Sequence, residues 1–221
     1  MNTYFQHTLI LAACYLLIFS LGEILYHKCR LKAEYTRKFV HASSGLLSFT
    51  FPVFIVNHWY VLLLCSSFLL ILLSSLRFNL LMSINAVDRV TRGSILFPFV
   101  VYTTFLLAEY KGSFTLFYLP ILILALCDPI AALVGRKWPI FKLKYLNKNK
   151  SFGGTMAFFL LAFVLSIFFL MRIEAIAFTQ SVVIAFVVGL ISSLAELLAK
   201  NGYDNLSIPY SVSFTLILMM V

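Results

Sequence analysis

Carboxylate side chains near the ends of apolar segments are the first candidates for chemistry in this sequence. Asp128 and Glu196 each lie late in a long apolar run, and Asp204 follows in the segment NGYDNLSIP. An ionisable side chain inside an apolar helix is costly and usually faces a partner or a polar cavity. Three oxygen ligands facing one compartment suit Mg²⁺, which takes one or two carboxylates plus substrate phosphates. The alternative is that Asp128 pairs with a basic residue purely for structure.

A second group of candidates lies in the segment TRKFVHASSG. Lys38, His41 and Gly45 recur at spacings of three and four residues, so they share one helix face, and Arg37 is one turn from His41. A cationic helix face beside a glycine suits a phosphate or a polar headgroup. The alternative is that Arg37 and Lys38 anchor the helix end and that His41 is an interior histidine.

Two further segments place a basic residue before small residues at the start of an apolar run. Lys150 begins KSFGGT (150–155), and Arg92 begins RGS (92–94). Small residues at a helix N-terminus expose backbone N–H groups, and the helix dipole favours an anion there. We therefore predict phosphate binding at Lys150 and Ser151 together with the pair Gly153-Gly154. The scattered lysines of the preceding loop, at 142, 144 and 148, are typical of a loop facing lipid headgroups.

Eight apolar runs must position these residues. A helix crosses the hydrocarbon core with about 20 apolar residues, and an alternating strand pattern is absent. The sequence therefore predicts an all-α polytopic membrane protein with about eight transmembrane helices. The predicted helices are Thr8–Tyr26, Phe39–Val56, Trp59–Leu76, Ser94–Glu109, Ser113–Val134, Thr155–Met171, Ala177–Leu198 and Ser207–Val221.

The distribution of basic residues predicts the orientation of these helices. Of the 17 lysines and arginines, 15 follow the first, third, fifth and seventh predicted helices. Cytoplasmic loops carry an excess of basic residues. We therefore expect that side to be cytoplasmic, which puts both termini on the other side and all the candidate residues at the cytoplasmic face.

Composition excludes several classes of function. The 221 residues are 62% hydrophobic and 11% charged, whereas a soluble domain carries about 25% charged residues. The net charge of +9 is spread over the loops, which argues against nucleic-acid binding. The four cysteines form neither a CxxC motif nor a Cys/His cluster, so a zinc site or disulfide framework is not indicated. We predict a single membrane-embedded domain over residues 1–221.

Cationic, acidic and glycine-bearing clusters facing one side are what a nucleotide-dependent enzyme acting on a membrane lipid requires. Phosphoryl transfer depends chiefly on positioning and charge stabilisation. Apolar helices would admit the lipid chain, and no Walker-type loop is present.

The order and spacing of these motifs resemble the CTP-dependent lipid kinases, the family of dolichol kinase, phytol kinase and CTP-dependent diacylglycerol kinase. The resemblance covers about residues 37–209, from RK..H...G through DP.A...GR and KS..GT.A to E.......DN...P. The chain departs from the family pattern at Cys127, Gly153 and Ser94, where the family often has glycine, glutamate and glutamate. Phosphatidate cytidylyltransferases are distant relatives that usually close with an HGG motif, which this chain lacks.

The resemblance implies specific roles for residues of this chain. It identifies a kinase that transfers the γ-phosphoryl group of CTP to a lipid alcohol in the bilayer, in an inner membrane if the source is bacterial. We predict catalytic roles for Asp128, Glu196, Asp204 and His41, with the three carboxylates as Mg²⁺ ligands. Residues predicted to bind the nucleotide and its phosphates are Arg37, Lys38, Arg92, Arg136, Lys150, Ser151, Gly154, Thr155 and Asn205. The alternatives are a CDP-lipid synthase and a small transporter or non-catalytic membrane protein.

Overall fold

The described chain is helical throughout. The computed structural model of the protein describes residues 3–55, 57–86, 92–142 and 150–220. Within these ranges it forms no strand beyond one isolated bridge between Lys142 and Ser151. The helices are α1 (Thr3–His27), α2 (Ala33–Ser48), α3 (Phe51–Phe54), α4 (His58–Arg77), α5 (Met82–Asn85), α6 (Gly93–Lys111), α7 (Thr115–Leu122), α8 (Asp128–Lys137), α9 (Phe152–Arg172), α10 (Phe178–Leu198) and α11 (Asp204–Met220).

Six helices have the length and composition of membrane spans. They are α1, α4, α6, the α7–α8 segment Thr115–Lys137, α9 and α10. Such helices satisfy all their backbone hydrogen bonds internally, as a bilayer requires. The other two predicted crossings fall on α2, with 16 residues, and α11, with 17 residues. Both are shorter than the roughly 20 residues of a typical span. The chain is therefore an integral membrane protein with six helices of spanning character in the described residues, against about eight predicted.

The fifth predicted helix is interrupted by a wider turn. Residues Ile123–Cys127, between α7 and α8, form a π-helical turn, and all the side chains of this turn except Leu126 are completely buried. In a π-helix each carbonyl accepts a hydrogen bond from the N–H group five residues later. Pro129 has no N–H, so the carbonyl of Leu124 has no such donor. The turn packs against α2, α9 and α11. It therefore lies at the centre of the helices that carry the predicted site.

Glycines allow two of these helices to approach the α7–α8 segment closely. A Cβ atom at Gly45 of α2 would lie 2.5 Å from the Cβ atom of Ala125. A Cβ atom at Gly154 of α9 would lie 2.8 Å from the carbonyl oxygen of Ala131. Small residues permit this kind of close backbone packing between membrane helices. The small residues Ala131 and Gly135, which follow Asp128 on α8, thus pack against α9.

Candidate active site

One cavity collects nearly all the residues predicted to carry chemistry. It has a volume of about 760 Å³ and lies between α2, α8 and the first residues of α6, α9 and α11, with Glu196 from α10. We call it the site cavity. Twelve of the thirteen predicted site residues line it: Arg37, Lys38, His41, Asp128, Arg136, Lys150, Ser151, Gly154, Thr155, Glu196, Asp204 and Asn205. The exception is Arg92.

The charges of the site cavity are mixed. Its basic lining residues are Lys32, Arg37, Lys38, Arg136 and Lys150, and its acidic ones are Glu34, Asp128, Glu196 and Asp204. Cations of this kind hold phosphate oxygens as charge-assisted hydrogen-bond donors. Carboxylates are the ligands that Mg²⁺ takes together with substrate phosphates. The combination suits a nucleotide with a divalent cation better than either partner alone.

Lys150 lies between two of the predicted carboxylates. Its Nζ atom donates to Glu196 Oε1 and lies 3.9 Å from Asp128 Oδ1. Burial alone would lower the pKa of the Lys150 ammonium, but the nearby Asp128 and Glu196 carboxylates raise that pKa above its usual value. The Glu196 side chain is 2% exposed, and its Oε2 atom has no hydrogen-bond partner. The site therefore holds a fixed cation and an unsatisfied carboxylate oxygen.

His41 is held by its surroundings with one ring nitrogen unused. The ring bonds the backbone of Leu124, the residue whose carbonyl lacks a π-type donor. Phe97 packs against it edge to face, with ring centroids 4.8 Å apart. The Nε2 atom is buried and has no hydrogen-bond partner, so the contact with Leu124 is made by Nδ1. The fixed ring therefore offers Nε2 to a ligand.

The start of α9 does not offer free backbone N–H groups, contrary to the prediction for Lys150-Ser151 and the glycine pair. The N–H groups of Phe152 and Gly153 donate to the carbonyls of Phe141 and Ile140. Ser151 Oγ accepts from the Gly154 N–H at 3.2 Å, and the Thr155 N–H donates to the Ser151 carbonyl.

Ser151 and Gly154 therefore build the turn and the packing against α8, and the N–H groups of residues 152–155 are not available to a phosphate. What this segment presents to the cavity is the Lys150 ammonium and the Thr155 hydroxyl. The Thr155 Oγ1 atom is buried without a partner.

Arg92 and Asn205 tie helix ends together. Arg92 donates through Nη1 to the Tyr203 hydroxyl at 2.8 Å and through its backbone N–H to the Asn201 carbonyl at 2.9 Å. It lies outside the site cavity, so its predicted role in phosphate binding is not supported by its position. Asn205 lines the cavity, but its Nδ2 atom donates to the Gly93 carbonyl at 2.7 Å. Both residues fasten the start of α6 to the start of α11.

Glu34 and Ser94 were not among the predicted site residues, yet both line the cavity. Glu34 accepts a hydrogen bond from Arg136, and the pair joins α2 to α8 at the cavity. Helical spacing could have identified Glu34 as a site residue. It precedes Arg37 and Lys38 by three and four residues and His41 by seven, so it shares their helix face. Ser94 was indicated only by its place after Arg92 and Gly93 and by the glutamate that the family often has at this position.

The carboxylates do not form a complete metal site by themselves. Within the described ranges, no three His, Cys, Asp or Glu side chains are grouped closely enough to hold a metal ion. Lys150 contacts two of the three predicted ligands, which explains why a three-carboxylate cage is not formed. The unpartnered Glu196 Oε2 atom, together with Asp128 and Asp204 in the same cavity, still fits Mg²⁺ held jointly with substrate phosphates.

The chain is similar to a lipid kinase along most of its length. It is 30% identical over 207 residues to a phytol kinase from Synechocystis sp., an alignment that covers 90% of this chain and 85% of that protein. No protein-family model matches the chain, and no solved structure matches it. The aligned span is long enough to include every helix around the site cavity.

Proposed function

This chain belongs to the CTP-dependent lipid kinase family, and from that premise we propose that it transfers the γ-phosphoryl group of CTP to the hydroxyl of a lipid alcohol. We place the reaction at the cytoplasmic face of the membrane, because the predicted cytoplasmic loops border the site cavity. Polyprenols, phytol and diacylglycerol are the acceptor classes that the family resemblance implies.

The observation that carries the proposal is the convergence of the predicted motifs on the site cavity. Residues far apart in sequence, such as Arg37, Asp128 and Asp204, line the same space. Its volume of about 760 Å³ falls within the range of roughly 300–1,000 Å³ typical of small-molecule sites. A purely structural set of charges would not require an open cavity of this size.

The side chains supply what phosphoryl transfer requires. Lys150, Arg37 and Lys38 hold the phosphate oxygens and offset the negative charge that develops during transfer. The acceptor oxygen forms a bond to the γ-phosphorus and gives its proton to a base of the cavity lining, for which the unpartnered His41 Nε2 is suited. The bond to the bridging oxygen breaks, and CDP leaves with that electron pair. Catalysis on this scheme rests on positioning and charge, for which the packed helix ends are suited.

Asp128, Glu196 and Asp204 are the residues that would hold Mg²⁺ with the nucleotide. The bound ion would neutralise charge on the transferring phosphate and orient it for in-line transfer. The buried Glu196 Oε2 atom without a partner supports this assignment. Displacement of Lys150 from Glu196 toward the phosphates would accompany nucleotide binding.

The proposal is tested by following labelled phosphate. We would incubate the purified protein in detergent with Mg²⁺ and γ-labelled CTP, and with phytol, undecaprenol, diacylglycerol or phosphatidate in turn. We expect label in one of the alcohols, and loss of that label in Asp128→Asn. A parallel reaction with labelled ATP tests the choice of CTP.

Two outcomes would contradict the proposal. Label released as pyrophosphate with phosphatidate alone would indicate a CDP-lipid synthase. Absence of label from every lipid, in protein that still binds CTP, would favour a non-catalytic membrane protein.

A further inference from the structure

A second cavity, lined mainly by apolar side chains, meets the site cavity at the His41 ring. It has a volume of about 70 Å³ and lies among α1, α2, α4 and α6. We call it the tail cavity. Four of its lining residues are phenylalanines: Phe19, Phe51, Phe68 and Phe97. Arg37, His41 and Ser94 line both cavities. A molecule with a polar end and an apolar body could thus extend from one cavity into the other.

The junction presents a defined hydrogen-bond acceptor. A carbonyl oxygen only accepts hydrogen bonds, so the His41 Nδ1 atom that contacts Leu124 carries the proton. In the neutral ring this leaves Nε2 with a lone pair. Nε2 is buried and unpartnered, and Phe97 fixes the ring plane. A ligand group that donates a hydrogen bond is what this nitrogen lacks.

The walls of the tail cavity suit a hydrocarbon chain. Besides the three shared residues, its polar members are Tyr15 and Ser44, and the Tyr15 hydroxyl is already bonded to Ser48 Oγ at 2.8 Å. Phe68 and Leu72 of α4 are almost fully buried around it. A cavity of about 70 Å³ has room for a segment of one chain and not for two chains side by side.

We propose that the tail cavity and the His41 junction form the acceptor site of the kinase, and that the acceptor has a single hydrocarbon chain. The hydroxyl of the alcohol donates a hydrogen bond to His41 Nε2, next to the phosphate-binding residues. Its chain lies between α1, α2, α4 and α6. This inference rests on the proposed kinase function, and it locates the second substrate.

The position of the chain is tested by photocrosslinking of the wild-type protein. The probe is phytol that carries a diazirine on its chain, and the crosslinked peptides are mapped by mass spectrometry. We expect crosslinks at Phe19, Cys65 or Phe68 that excess unlabelled phytol removes. Crosslinks confined to lipid-facing positions of α4, such as Leu63 or Leu70, would overturn the proposal.

A pair of variants on α4 provides the kinetic test. Cys65 is buried against the tail cavity, whereas Leu63 on the same helix is 50% exposed. Cys65→Phe fills the cavity, so we expect the KM for the alcohol to rise about tenfold or more, as expected for losing the burial of roughly two methylene groups. The KM for CTP should not change, and Leu63→Phe should leave both constants unchanged. Equal effects of both variants would contradict the assignment.

His41 variants test the polar end of the same site. His41→Leu removes the acceptor atom, and His41→Gln retains a side-chain oxygen that can accept a hydrogen bond. We expect His41→Leu to lose turnover while CTP binding, measured by equilibrium dialysis, is retained, and His41→Gln to recover part of the turnover. Loss of CTP binding in His41→Leu would place His41 in the nucleotide site instead.

The results separate this inference from the proposed function. If the wild-type protein is active, the KM of Cys65→Phe is unchanged and the crosslinks lie elsewhere, the kinase function stands and this acceptor site is wrong. If excess phytol removes crosslinks in the tail cavity but no phosphate is transferred to any lipid, the lipid site stands and the kinase function is wrong.

Discussion

The contact of Lys150 with Asp128 and Glu196 admits two interpretations at the scale of single residues. It could be a buried ion pair that only joins helices, or it could be a phosphate-binding cation held in place until the nucleotide arrives. A buried ion pair is by itself weak evidence for added stability, because desolvation offsets the attraction. The unpartnered Glu196 Oε2 atom favours the second interpretation, since a purely structural carboxylate should have both oxygens satisfied.

Neutralising the pair in two steps distinguishes these interpretations. Lys150→Met leaves Glu196 buried without its cation, so we expect a loss of roughly 3–5 kcal/mol of stability and a fall in turnover of about 10²–10³-fold. The double variant Lys150→Met/Glu196→Gln removes both charges. We expect it to recover much of the thermal stability in detergent but none of the turnover.

Lys142→Met is the matched control, since Lys142 precedes α9 as Lys150 does but is exposed and lies outside the site cavity. It should match the wild type in both measurements. Recovery of turnover together with stability in the double variant would show that Lys150 is only a structural cation.

At the scale of elements, the packing of α2 on the π-helical turn sets the distance between the two halves of the site. Gly45 permits this contact, because its missing side chain leaves room for Ala125. The same contact brings His41, one turn earlier on α2, to the Leu124 backbone. We therefore expect the glycine to affect turnover through helix position, although it does not line the cavity.

A volume swap across this contact tests the role of Gly45. Gly45→Ala places a methyl group 2.5 Å from the Ala125 side chain, so we expect about 1–3 kcal/mol of destabilisation from overpacking and reduced turnover. Gly45→Ala/Ala125→Gly restores the space, and the helix-propensity cost of about 1 kcal/mol at position 125 is offset by a similar gain at position 45. Turnover should recover in the swap; if it stays as low as in Gly45→Ala, the contact does not position the site.

At the scale of the whole molecule, the proposed orientation puts the site cavity on the cytoplasmic side. The native cysteines offer a direct test, because Cys29, in the basic segment after α1, is the exposed one of the four. An impermeant maleimide should label Cys29 in inverted vesicles and not in intact cells.

A cysteine on the opposite side completes the experiment. Tyr110, near the end of α6, is 83% exposed, and Tyr110→Cys in a Cys29→Ser background should be labelled in intact cells. Labelling of Cys29 from outside would reverse the orientation, and labelling of both positions from one side would change the number of crossings.

The sequence was sufficient to predict most of the charged residues that line the site cavity. Arg37, Lys38 and His41 share a face by helical spacing, and Asp128 and Glu196 are conspicuous as charges in apolar runs. Contacts between distant segments were not predictable in this way. The carbonyls of Ile140 and Phe141 accept hydrogen bonds from the first N–H groups of α9. Nothing in the sequence of that loop indicates these hydrogen bonds. The tail cavity is also formed by residues of six helices, α1 to α6, and the sequence of no single helix indicates it.

The π-helical turn before Asp128 has a consequence for how this segment tolerates change in length. Each residue of an α-helix advances the chain by about 100° around the axis, and the turn accommodates its five residues with a wider circumference than an α-turn. Deleting one of residues 123–127 would leave four residues, which in a regular α-helix advance the chain by about 400°, close to the rotation that the five residues of the wider turn make. Asp128 and Gly135 would therefore keep facing the site cavity. The deletion would instead remove one side chain from the contacts that this turn makes with α2, α9 and α11, so we expect it to reduce stability more than it disturbs the alignment of the site.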